Sequence, residues 1–201
     1  MIQSMTSAAV KAWRDERSDL LDQLIQAHAA VGGSGAGRRW ATVELNRALV
    51  LRVASQFQGF TKDLHAEVAI TFGSLAQPDN AALARVISTG LQTKRDLDRA
   101  NAQADSLASD FGRFGIVFWD EMAVHDERTV KRREHLKWFN MARNALAHDD
   151  EPKLAKVVDA GYNIDLGWVR RWRSVLNGLA GTMDAVMATH LSRIFDVERP
   201  W

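Results

Sequence analysis

Cysteine is absent from the chain, which removes disulfides and thiolate metal sites from consideration. Proline is nearly as scarce, with three in 201 residues, so long helices would meet few built-in breaks. No apolar run approaches the roughly 20 residues that a membrane-spanning helix needs. Met1 to Ala9 also lack the basic start and apolar stretch of a secretory signal. The cytoplasm is therefore the simplest location. Neither sign of charge dominates, since the formal net charge is +1. The long-range field thus neither demands nor excludes a nucleic-acid partner, and any such partner has to be argued from a local site. The proportions that remain, 46% hydrophobic and 25% charged, are those of an ordinary soluble protein. At this length one core is expected, and the whole chain, 1–201, reads as one domain.

What the sequence has in abundance is apolar residues at intervals of three and four, the period of amphipathic helices. The expected fold is all-α, a bundle of about five to six main helices. A first helix is expected from Thr6 to Val31, followed by a glycine-rich linker through Gly37, so that 1–38 forms an N-terminal extension to a helical core at 39–195. The linker lacks the Gly-Lys-Ser/Thr ending of a phosphate-binding loop and follows no strand. Leu45, Leu49, Val53, Phe57, Phe60, Leu64 and Val68 predict a long central helix from Arg39 to Phe72. Gly73 and Pro78 break it, and Asp79 or Asn80 can cap the next helix. Between Ser106 and Asp120, glycines interleaved with aromatics suggest short helical pieces that plug the core. Asp126 is a candidate cap for a helix from Glu127 to Asp149, which has to end before Pro152. A last helix is expected from Leu166 to Phe195.

The segment from Trp138 to Asp149 combines a guanidinium, an amide and an imidazole near a helix end. At about 100° per residue, Lys137, Met141, Asn144 and His148 share one face. Arg143 falls instead on the apolar side, between Leu136 and Phe139. An arginine there either packs its stem and sends its head to water, or holds a ligand. His148 in the last turn either caps the helix carbonyls or exchanges a proton near neutral pH.

The run Arg143-Asn144-Ala145-Leu146-Ala147-His148 resembles the Arg-x4-His signature of the HEPN superfamily, in which a polar residue follows the arginine. The helix Glu44 to Phe60 and the stretch Ile164 to Leu191 resemble flanking helices of the branch found in bacterial conflict systems. The likeness spans about 39–191 and omits the first helix. One position departs from it, because Gln58 stands where an acidic residue is expected. The resemblance implies a homodimer that cleaves RNA without metal or other cofactor. Arg143 would hold the phosphate, His148 would move protons, and Asn144 would orient either group. The products would be 2′,3′-cyclic phosphate and 5′-hydroxyl ends, and DNA would not be cut. It further implies a toxin or antiviral effector, with an antitoxin or sensor as a possible partner. Lys131, Arg132, Arg133 and Lys137 are candidate RNA-binding residues, with plain solvation as their alternative.

Two other functions compete. His125-Asp126 and His148-Asp149 are paired as in HD-type metal phosphohydrolases. A helical dimer that binds RNA, a nucleotide or a protein without cleaving it is the non-enzymatic reading.

Overall fold

The computed structural model describes residues 6–31 and 39–201, and the glycine-rich linker expected from Gly32 to Gly37 lies outside the described residues. No strand occurs among the described residues, so the all-α expectation holds. The helices are α1 (Ala8–Ala12), α2 (Ser18–Val31), α3 (Arg39–Ala76), α4 (Ala81–Gln92), α5 (Ala104–Gly112), α6 (Phe118–His125), α7 (Arg128–Ala147), α8 (Glu151–Asp159) and α9 (Leu166–Phe195). No described helix is long and apolar enough to cross a membrane.

Helix α3, with 38 residues and so about 57 Å long, is the element on which most others pack. It touches α1, α2, α4, α7 and α9. The expected stripe is its core face from Leu49 on: Leu49, Val53, Phe57, Phe60, Leu64 and Val68 are buried, whereas Leu45 is half-buried. They meet Phe111, Phe139, Trp172 and Met183 from later helices in one continuous apolar cluster. The aromatics between 106 and 120 do plug this core, with Phe111 and Phe118 stacked at 4.8 Å between centroids.

Helices α1 and α2 are joined by a π-helical turn, Trp13–Arg17, which the 3.6-residue period could not announce. The amides at the start of α1 would be orphans at any helix N-terminus. Here Glu67 of α3 accepts from Ala8 and Ala9 N–H (2.8 and 2.9 Å), Ser7 Oγ accepts from Val10 N–H, and Asp184 of α9 accepts from Ser7 N–H. The N-terminal helix is thus clasped to the two longest helices.

Asn80, one of the two expected caps, accepts from Leu83 N–H at 3.0 Å. The last helix begins and ends where expected, with Asp165 as its cap. Helix α7 ends at Ala147 rather than Asp149, and Asp149 takes a positive φ of 50°. Helix α8 was not foreseen. Pro152 does stop α7 from continuing, but it also lies in the first turn of the next helix, where no N–H is needed, with Asp150 as the cap. Where α3 meets α4, Gly73 is buried, and a Cβ there would stand 2.4 Å from the Ala84 carbonyl oxygen.

His65 is fully buried on α3 against the rings of Phe111 and Phe114. It donates from Nε2 to the Asp110 carbonyl at 3.1 Å, and its Nδ1 has no partner among the described residues. Burial, more than any other influence, pushes its pKa down from 6.5 to about 4. The unfolded chain therefore takes up this proton first as pH falls. The stability that His65 confers is complete above pH 6.5 and is lost as pH drops towards about 4. Its loss is expected to cost on the order of 3 kcal/mol. Urea unfolding at pH 7 and 4.5 should show this decline in the wild type and a shallower one in His65→Gln, and equal slopes would refute it.

Candidate functional site

The segment between α4 and α5, residues 93–103, contains only a short 3-10 turn, Asp96–Asp98. Backbone groups without regular partners need others. Side chains supply them. Arg113 donates to the carbonyls of Leu91, Thr93 and Lys94 (3.2, 2.7 and 2.7 Å). Asp110, fully buried, accepts from the N–H groups of Asp96 and Leu97 (3.0 and 2.8 Å) and pairs with Arg113 at 3.4 Å. Gln58 Nε2 donates to the carbonyls of Leu97 and Ala100 (3.0 and 2.7 Å). Asn140 Nδ2 donates to the carbonyl of Ala102 and, one turn back, to that of Leu136 (both 3.1 Å).

The connector held in this way delivers Asn101 to α7. Asn101 Nδ2 donates to Asn144 Oδ1 at 2.5 Å, and Arg143 Nη1 donates to the same oxygen at 3.1 Å. Arg143 is half-buried beside Leu51, Ala54, Ser55 and Gln58 of α3. Its apolar-side register, read from the sequence, has a specific outcome here: the half-buried side chain lines an opening between α3 and α7 and its head joins an amide network. Gln58 has a comparable explanation. Both of its hydrogen bonds are donated by the amide nitrogen, and a carboxylate in its place could donate neither.

On the other side of Asn144 opens a cleft of about 630 Å³, lined by Arg133, Lys137, Asn140, Met141 and Asn144 of α7, with Lys153 of α8 and Asp105 of α5 across from them. Arg133 also lies 5.1 Å from the Trp119 ring and Lys137 lies 5.6 Å from that of Trp138, contacts that restrain both cations. Of the four basic candidates, these two line the cleft. Lys131 is exposed and does not. Arg132 pairs with Asp126, just before α7, at 2.6 Å, and its guanidinium fills the space against α9 in which a Cβ of Gly178 would lie.

His148 is the C-terminal cap of α7, exposed and without a side-chain hydrogen bond among the described residues. It does not share the Arg143 seam. The two residues are separated by about 140° and 7.5 Å of helix.

The two His-Asp pairs stand at opposite ends of α7, about 30 Å apart along 20 residues. They cannot form one metal site within a chain. Asp126 is moreover engaged by Arg128 and Arg132, and the Arg128 hydrogen bond, ahead of the other causes, holds its carboxyl far below the usual range. It accepts from Arg128 N–H at 3.1 Å, bonding the first turn of α7 from one residue before the N-cap position. Among the described residues no cluster of three metal-ligating side chains occurs.

The sequence reading missed Asn101 and Asn140 because neither has a local signal; each acts on a partner about forty residues away. Comparison with known proteins returned no match to a family model, a curated protein or a solved structure.

Gln58→Glu tests the role of the amide. The substitution removes two donors and faces two carbonyl oxygens with a carboxylate, so a loss of about 1–3 kcal/mol is expected at pH 7. Protonation of the new carboxyl restores one donor, so the deficit should shrink at pH 5. A variant as stable as wild type at pH 7 in urea titration would show that these bonds do not hold the connector.

Proposed function

We propose that the protein is a metal-independent endoribonuclease of the HEPN type, active as a homodimer, with Arg143, Asn144 and His148 at its site. The observation that carries this reading is the arrangement on α7. An arginine is fixed in an amide network, a cation-edged cleft opens beside it, and an imidazole stands free at the helix end.

Each group has the chemistry the reaction requires. The Arg143 guanidinium offers several donors to a phosphate and stabilises charge developing on its oxygens. With one Nη1 hydrogen bond spent on Asn144, its remaining N–H groups can serve the ligand. His148 exchanges protons: as a base it takes the proton of the ribose 2′-hydroxyl while that oxygen attacks phosphorus. As an acid it protonates the departing 5′-oxygen. The P–O5′ bond breaks as the P–O2′ bond forms, leaving a 2′,3′-cyclic phosphate and a 5′-hydroxyl. DNA lacks this nucleophile and would survive.

A second copy completes the site. One His148 cannot hold both protonation states at once, and the separation of Arg143 from His148 along α7 favours a partner chain that contributes its own imidazole. Arg133 and Lys137 would guide the RNA backbone. A growth-arresting or antiviral effector, restrained by an antitoxin or sensor, is the biological role that suits such an enzyme.

Incubation of the purified protein with total RNA, with and without EDTA, tests the reading. Cleavage should persist in EDTA and leave cyclic phosphate ends, and light scattering should report a dimer. Arg143→Ala and His148→Ala should each lower the rate by about 10² to 10⁴ while retaining the helical circular dichroism signal. Wild-type rates in both folded variants, or products with 3′-hydroxyl ends that require Mg²⁺, would overturn it.

A further inference from the structure

The cleft beside Asn144 contains a feature that phosphate binding does not need: two amides one turn apart with opposite free ends. Asn140 is 7% exposed. Its Nδ2 is committed to two carbonyls, which fixes the amide orientation and leaves Oδ1 without a donor among the described residues, in a side chain that lines the cleft. Asn144 is fixed the other way. Its Oδ1 accepts from Asn101 and Arg143, which leaves Nδ2 free to donate. Residues i and i+4 on a helix lie about 5–6 Å apart at Cβ and face the same side. A fixed acceptor thus stands next to a fixed donor.

We infer that this cleft is a nucleobase-reading subsite, selective for bases that carry an exocyclic amino group. The inference rests on the ribonuclease reading for its biological context and on the cleft for its chemistry. The volume of about 630 Å³ is in the range of small-molecule sites. Met141 and Val130 supply apolar surface for a planar ring, and Arg133, Lys137 and Lys153 supply charge for a phosphate. Acceptors then decide among the bases. Besides Asn140, whose free amide atom is an acceptor, the residues lining the cleft include the carboxylates Glu134 and Asp105. An amino group has two hydrogens and can bridge two acceptors, while the neighbouring ring nitrogen or carbonyl of the same base takes the Asn144 donor. Uracil offers a single ring N–H flanked by two carbonyls, which would face these oxygens unfavourably. A site built from fixed polar groups rejects the analogue that leaves them unpaired.

Titration of the full chain with AMP, GMP, CMP and UMP, followed by amide chemical shifts and calorimetry, tests this without any cleavage. The three amino-bearing nucleotides should bind with shifts centred on Asn140 and Asn144, and UMP should bind about tenfold more weakly or worse. Asn140→Leu, checked by circular dichroism, should reduce the affinity for the amino-bearing three to the UMP level. Lys137→Glu, at an exposed position, should weaken all four and leave their ranking intact. Equal affinity for all four nucleotides, no binding at millimolar concentration, or shifts that map away from α7 would overturn the inference. Should Asn140→Leu fail to fold, the UMP comparison and Lys137→Glu still decide. Selective binding by a protein that never cleaves RNA would retain the subsite and refute the nuclease, whereas cleavage without selectivity would do the reverse.

Discussion

The polar backbone of residues 93–103 has almost no regular structure to satisfy it, and the candidate site depends on how the rest of the chain meets that need. Arg113 and Asp110 hold its first half from α5 and its C-terminal edge, while Gln58 reaches from α3 and Asn140 from α7. Each bond pays for a desolvated amide or carbonyl, and each also fixes a coordinate. Together they leave Asn101 little choice but to meet Asn144. Because Asn144 then has its acceptor occupied twice, the orientation of its amide is determined jointly by its neighbour Arg143 and by Asn101, about forty positions away. The fold and the site are therefore one problem here, solved by the same few side chains.

Much of the framework was legible from periodicity. The stripe on α3, the cap at Asn80 and the full extent of α9 follow from local patterns, since burial along a helix repeats every few residues and caps act over three. What escaped the sequence was of two kinds. Some signals were ambiguous in sign: Pro152 marks the end of one helix and the first turn of another, and only the spacing to Asp150 favours the second. Others had no local trace. The π-helical turn at Trp13–Arg17 interrupts a pattern that otherwise runs on, and the amide network joins residues on α3, the connector and α7 that no window of sequence contains.

Gln58 illustrates how the two levels correct each other. Against the HEPN resemblance it is a missing acid. Within the structure it occupies a place where only a donor can serve, so the position supports the connector in a way an acid could not. Arg143 behaves similarly: its apolar register, which suggested either snorkelling or ligand binding, gives a half-buried side chain that lines an opening against α3, with its head tied to Asn144.

Gly73 offers a handle on all of this from a distance. With the Ala84 carbonyl where its side chain would be, no larger residue fits there unless α4 tilts away from α3, and α4 runs directly into the connector that carries Asn101. A graded series of side chains at this one buried position would act as a wedge of adjustable thickness, a means for an engineer to detune the amide network without touching any of its members.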